Sequence, residues 1–114
     1  MHRNASGHYD TTALGAVDTA RRLVTLFDDD TRRIQPSGRR AAHALRVLAA
    51  LRQRPILRVP QLCQLSAMTS PTAHKTMAHR VAAGIARALT GQRRDRVFSY
   101  HASLAILNEG GEPL

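Results

Sequence analysis

The sequence has few aromatic residues, one cysteine and no long hydrophobic run. Aromatic residues make up 4% of the 114 residues and Trp is absent, so a core must consist of aliphatic side chains and Met. Cys63, the single cysteine, can form neither an internal disulfide nor a Cys-rich zinc site. No stretch approaches the ~18 apolar residues of a membrane span, and the N-terminus lacks the apolar core of a signal peptide. We therefore expect a cytoplasmic protein that has no contact with a membrane.

Acidic residues are scarce between Thr31 and Asn108, where Asp95 is the only one. The same segment contains fourteen of the 17 Lys and Arg residues, and the whole chain has a formal charge of +9. A solvated surface normally mixes both signs. The imbalance favours a polyanionic partner, and double-stranded DNA in particular. A general enrichment of Arg in the encoding genome is the alternative explanation for the Arg content.

The chain divides into four predicted segments. These are a disordered N-terminus at 1–11, a linker helix at 12–35, a winged helix-turn-helix domain at 37–108 and a tail at 109–114. The linker helix carries apolar residues at helical spacing that an isolated helix could not bury, so it must pack on the rest of the chain or on a second chain. Pro36 and Gly38 end this helix, because both residue types interrupt helices.

The predicted domain contains a helix, a short strand, two further helices separated by a turn, and a hairpin. The predicted bounds are helix 39–53, strand 56–58, a helix from Pro60, a helix from Ser70 to Gly84, and strands 85–90 and 96–100. Ser70 is predicted to cap the last of these helices, with Pro71 at its first position and Gly84 after its end. The order predicts a mainly α fold with a small antiparallel β-hairpin, a winged helix-turn-helix preceded by a long helix.

Seven short segments carry a resemblance to a known family. They are DTARRLV at 18–24, LF at 26–27, RPI at 54–56, PT at 71–72, GI at 84–85, LTGQRRDRVFSY at 89–100 and LAIL at 104–107. Together they resemble the C-terminal region of bacterial Fic (filamentation induced by cAMP) family proteins, over about residues 12–107. In that family a helix after the catalytic core leads into a winged helix-turn-helix.

The residues that the Fic family uses for catalysis are absent from this chain. It contains no His-Pro-Phe motif and no Gly-Asn-Gly-Arg loop, and its six histidines lack the spacing of metal ligands. We therefore predict no enzymatic activity, no cofactor and no metal. Three functions follow: a DNA-binding transcriptional or autoregulatory module, an interaction module that docks on a Fic catalytic chain or on a second copy, or an inactive fragment of a Fic adenylyltransferase.

Two residues depart from the pattern of a winged helix-turn-helix. Ala67 occupies the turn position that usually holds Gly, and a non-Gly residue at positive φ is strained by ~1 kcal/mol. Arg80 falls on the predicted buried stripe of the last helix, with Ala73, Met77 and Gly84. It either extends its guanidinium toward phosphate or reflects relaxed selection on a weakened core.

The exposed face of the same helix provides the predicted contacts with DNA. Residues in the first turns of such a helix meet base edges in the major groove, and a basic wing meets phosphates or a minor groove. The predicted DNA-binding residues are Ser70, Thr72, His74, Lys75, His79, Arg93, Arg94 and Arg96. A solvated hairpin tip is the alternative for the three Arg residues, and a plain surface position is the alternative for the histidines.

Overall fold

The helices and strands up to the end of the hairpin follow the order predicted from the hydrophobic pattern. The computed structural model describes residues 6–89 and 96–110, with side chains over 15–89 and 96–109. Its elements are α1 (Ser6–Ile34), a 3-10 helix (Gln35–Arg40), α2 (Ala41–Gln53), β1 (Ile56–Arg58), α3 (Val59–Ser66), α4 (Ser70–Ala82), β2 (Arg87–Ala88), β3 (Val97–Ser99) and α5 (His101–Gly110). This is a winged helix-turn-helix with a long helix in front of it, which confirms the predicted fold class.

A three-stranded antiparallel sheet closes one side of the domain, in the order β1-β3-β2. Phe98 on the central strand faces Leu57 on β1 and Ala88 on β2. The second strand is shorter than the predicted 85–90, because the backbone N–H groups of Ile85 and Ala86 both donate to the carbonyl of Arg80 at the end of α4. Thr90 falls outside the described residues.

The helical bounds differ from the prediction at both ends of the chain. The first helix begins at Ser6 rather than Thr12, so the predicted disorder is wrong for residues 6–11, while residues 1–5 lie outside the described ranges. Polarity alone does not interrupt a helix, and the segment contains no Pro. The last helix spans ten residues and extends to Gly110, beyond the predicted start of the tail at 109.

The predicted break between the linker helix and the domain is confirmed. The first helix ends at Ile34, which is fully buried, and a 3-10 helix connects it to α2. Gly38 within that connection has a φ of 66°, a conformation that Gly adopts without a steric penalty. The second helix accordingly begins at Ala41 and not at the predicted Arg39. No helix in the described part of the chain is long and apolar enough to cross a membrane.

The linker helix packs on the domain through an aromatic and ionic cluster near its C-terminus. The rings of Phe27 and Tyr100 lie 5.9 Å apart, and the guanidinium of Arg52 lies 4.4 Å from the centre of the Phe27 ring. The Tyr100 hydroxyl donates to the buried carboxylate of Asp30, which also pairs with Arg33 at 3.2 Å. Burial and this bond to Asp30 raise the pKa of Tyr100 well above its ordinary value.

Ala67 adopts the strained conformation that the sequence predicts for the turn after α3. Its φ of 56° lies in the left-handed region, and it is the one non-Gly residue there among the described residues. A Cβ atom in this conformation approaches the following carbonyl oxygen, at a cost of about 1 kcal/mol. The turn therefore stores strain that a residue without Cβ would relieve.

Replacing Ala67 with Gly is expected to raise the free energy of unfolding by up to ~1 kcal/mol, since relief of strain exceeds the extra freedom of Gly in the unfolded chain. Chemical denaturation measures the change. Ala49→Gly, on an exposed position inside α2, is the matched control and should destabilise by about 1 kcal/mol. A loss of stability in both variants would contradict the strain at Ala67.

Candidate nucleic-acid interface

The fourth helix has one buried and one exposed face. Ala73 and Met77 are fully buried, and Thr76 and Arg80 are 8% and 7% exposed. The prediction that Arg80 lies on the buried stripe is therefore confirmed. Gly84, predicted on the same stripe, lies beyond the helix end with a φ of 80° and is exposed, so Thr76 completes the buried face instead.

The start of α4 differs by one residue from the prediction. Thr69, not Ser70, is the N-cap, and Ser70 is the first residue of the helix. The Thr69 hydroxyl donates to the hydroxyl of Thr72 at 3.1 Å and accepts no backbone N–H group of the first turn. Ser70 is exposed at the helix start, so its hydroxyl is accessible to a ligand.

One side of the exposed face of α4 borders the hairpin. A cleft of ≈ 180 Å³ separates the two elements. It is lined by His74, Ala78, Val81, Ala88, Arg96 and Phe98. Of the predicted DNA-binding residues, His74 and Arg96 therefore lie together on this side. Arg93 and Arg94, predicted at the tip of the wing, fall outside the described residues.

The other side of the exposed face of α4 borders the start of α2. A pocket of ≈ 240 Å³ lies between the two helices, and we call it the basic pocket. It is lined by Arg40, His43, Ala44, Thr72, Lys75, Thr76, His79 and Arg80. Three predicted DNA-binding residues, Thr72, Lys75 and His79, thus share one site with Arg40, at the end of the 3-10 helix, and His43 of α2, which the prediction did not include.

The charges around α4 are of one sign. The second, third and fourth helices contain no Asp or Glu. Three cations of α1 do have acidic partners in the described part of the chain: Arg22 pairs with Glu109, Arg32 with Asp29 and Arg33 with Asp30. Glu109, Asp29 and Asp30 therefore neutralise cations of α1, while the charged residues of α4 itself are all basic.

Arg40 and His43 are functional candidates that the sequence did not suggest, whereas a contact of Arg80 with phosphate was one of its two alternatives for that residue. Arg40 and His43 are three residues apart, a spacing that places both on one face of a helix. That spacing was visible in the sequence, but it does not reveal which element the face meets. The packing of α2 against α4 brings the pair to Lys75 and His79. Among the described residues, no group of three or more His, Cys, Asp or Glu side chains could hold a metal ion.

Comparisons with known proteins support the fold and name no family. No family model matches the chain, and no curated protein matches it. Among solved structures the chain is similar to a MarR family transcriptional regulator from Silicibacter pomeroyi DSS, with a TM-score of 0.51 and 23% sequence identity. The match covers 79% of this chain and 62% of that chain. At this level of identity, the chain shares its winged-helix fold with the regulator.

Proposed function

We propose that this chain is a DNA-binding module of a transcriptional or autoregulatory protein. The observation that carries the proposal is the exposed face of α4, which presents Lys75 at the basic pocket and His74 at the hairpin, on a helix without acidic residues. A face of this kind attracts the DNA backbone and admits side chains to the major groove. The fold that the chain shares with a transcriptional regulator supports the same function.

The two ends of this face have different roles in the proposed complex. Lys75 and Thr72, in the first turns of α4, face base edges, where Lys donates to guanine O6 or N7 and Thr contacts a thymine methyl. Ala78 is exposed and small, so it allows close approach of the groove wall. Arg96 and the basic residues of the hairpin tip lie beside the phosphates, where they add affinity without sequence preference.

A salt titration of DNA binding tests the proposal. Because each phosphate neutralised by the protein releases condensed counterions, the log of the binding constant should fall with the log of salt by about 0.9 per contact. Arg93→Ala combined with Arg94→Ala should lower that slope by up to ~1.8 and weaken binding to all sequences alike. Fluorescence anisotropy with genomic DNA fragments at several salt concentrations measures both effects.

Arg21→Ala combined with Arg32→Ala is the matched control, because it removes the same charge from exposed positions on α1. This variant should keep the slope of the unmodified protein. An unchanged slope in the Arg93 and Arg94 variant would show that the wing does not contact DNA phosphates. Absence of any salt-dependent binding by the full chain would refute the proposed function.

Self-association through α1 is the second candidate function. Val17 and Val24 are seven residues apart on one face of this helix, and each is 56% exposed. Two such residues on one face suit contact with another helix, of a second copy or of a Fic catalytic chain. The Fic partner rests on the sequence resemblance alone. Sedimentation equilibrium of Val17→Asp combined with Val24→Asp tests self-association, and a monomeric unmodified protein would exclude it.

A further inference from the structure

We propose that the basic pocket binds one phosphate group, with Arg80 as its buried anchor. The group belongs either to the DNA backbone or to a free phosphate compound, and both present the same tetrahedral oxyanion. The inference rests on the proposed function only where the phosphate is part of DNA. The proposed site includes Arg40 and His43, which are not among the predicted DNA-binding residues.

Among the described residues, Arg80 is a buried cation without a counter-ion. Its side chain lines the pocket, the residue is 7% exposed, and its Nε atom has no hydrogen-bond partner. Burial and the nearby positive charge of Arg33 lower the pKa of Arg80. The carboxylate that pairs with Arg33, Asp30, is already engaged by Arg33 and Tyr100. An unpaired buried charge is costly, so the site favours a ligand that brings negative charge to Arg80.

The chemistry of the pocket matches an oxyanion. Every ionisable side chain that lines it is basic: Arg40, His43, Lys75, His79 and Arg80. The hydroxyl groups of Thr72 and Thr76 add neutral hydrogen-bonding groups. A guanidinium presents a planar fork of N–H donors that fits phosphate oxygens two at a time.

The size of the pocket suits one phosphate group with water around it. A water molecule takes about 30 Å³ in the liquid. A pocket of ≈ 240 Å³ therefore holds a group several times larger than a water molecule. Because Thr72, Lys75 and His79 also belong to the exposed face of α4, a phosphate here would lie at the edge of the proposed DNA interface.

The test begins with inorganic phosphate and the full chain. Isothermal titration calorimetry at constant ionic strength should show saturable binding of one phosphate per chain. Arg80→Leu should weaken that binding about tenfold or more, the usual loss for a charge-assisted hydrogen bond. Arg46→Leu is the control, because Arg46 is an exposed cation of α2 outside the pocket, and it should bind phosphate as the unmodified protein does.

Thermal unfolding provides a second readout that does not need tight binding. Without phosphate, Arg80→Leu should unfold at a higher temperature than the unmodified protein, since Leu fills the same stripe without a buried charge. Added phosphate should raise the Tm of the unmodified protein more than that of Arg80→Leu, because the variant binds phosphate more weakly. No saturable phosphate binding, or an equal response to phosphate in both proteins, would overturn the proposed site.

DNA binding by the same two proteins distinguishes the source of the phosphate. If it belongs to the DNA backbone, Arg80→Leu lowers the salt slope by ~0.9 and inorganic phosphate competes with DNA. If it belongs to a free compound, phosphate binds but the slope is unchanged. Phosphate binding without any DNA binding would refute the proposed function and keep this site. Salt-dependent DNA binding without phosphate binding would refute the phosphate site and keep the proposed function.

Discussion

Replacing Asp30 with Ala is expected to lower the free energy of unfolding by ~3 kcal/mol. The Asp30 side chain is 6% exposed, and its carboxylate accepts the hydroxyl hydrogen of Tyr100 and pairs with Arg33 at 3.2 Å. Without it, the fully buried Tyr100 hydroxyl loses its acceptor, which costs about 1–3 kcal/mol. Loss of the partly buried ion pair adds to that cost. Urea denaturation of both proteins at neutral pH measures the difference.

The neighbouring residue Asp29 provides the matched control. Its side chain is 58% exposed and lies 3.6 Å from Arg32. This pair has the same three-residue spacing along α1 as Asp30 and Arg33, but it is exposed to solvent. Because exposed ion pairs contribute only about 0–1 kcal/mol, Asp29→Ala should change stability little. Equal losses in the two variants would mean that Asp30 does not hold the linker helix on the domain.

The cluster of Asp30, Arg33 and Tyr100 also connects the linker helix to α4, the proposed DNA-reading helix. The guanidinium of Arg33, held by Asp30, also donates to the carbonyl of Ala83, just after the end of α4. Carbonyls at the end of a helix lack partners within the helix, and a cation there is favourable. The orientation of α4 therefore depends in part on α1, although the two helices are far apart in sequence.

Replacing Lys75 with Ala is expected to reduce the preference for a best DNA site over random DNA by ~1–3 kcal/mol, or about fivefold to 150-fold. Lys75 is exposed in the first turns of α4, opposite the fully buried Ala73 and Met77. Its ammonium group donates to a base edge that only some sequences present. Anisotropy titrations with a selected site and with random DNA at one salt concentration measure the preference.

The control for Lys75→Ala is Arg46→Ala, which removes one exposed cation from outside the face of α4 and should leave the preference unchanged. Binding of random DNA should weaken much less than binding of the selected site, because the cations of the hairpin and of α2 are still present. An equal loss of affinity for both DNAs would indicate that Lys75 contacts a phosphate rather than a base. If the protein prefers no DNA sequence at all, the interaction-module hypothesis is favoured.

The sequence by itself determined the order of elements and several local details. Helical spacing of apolar residues, with Pro and Gly between the segments, predicted the helices, and β1 lies at the predicted residues. These features depend on contacts within a few residues, which the spacing records directly. Helical spacing also predicted the buried Arg80, while the left-handed Ala67 was predicted from the turn position that usually holds Gly in a winged helix-turn-helix. The Fic resemblance is likewise a product of the sequence, and it stays a prediction.

Only the tertiary structure decided how the elements meet. Asp30 and Tyr100 are 70 residues apart, and nothing in their local sequence indicates that one donates to the other. The basic pocket likewise forms because α2 packs against α4, which brings Arg40 and His43 to Arg80. Periodicity reveals that a face is polar or apolar but not which element covers it, since that depends on the packing of the whole chain.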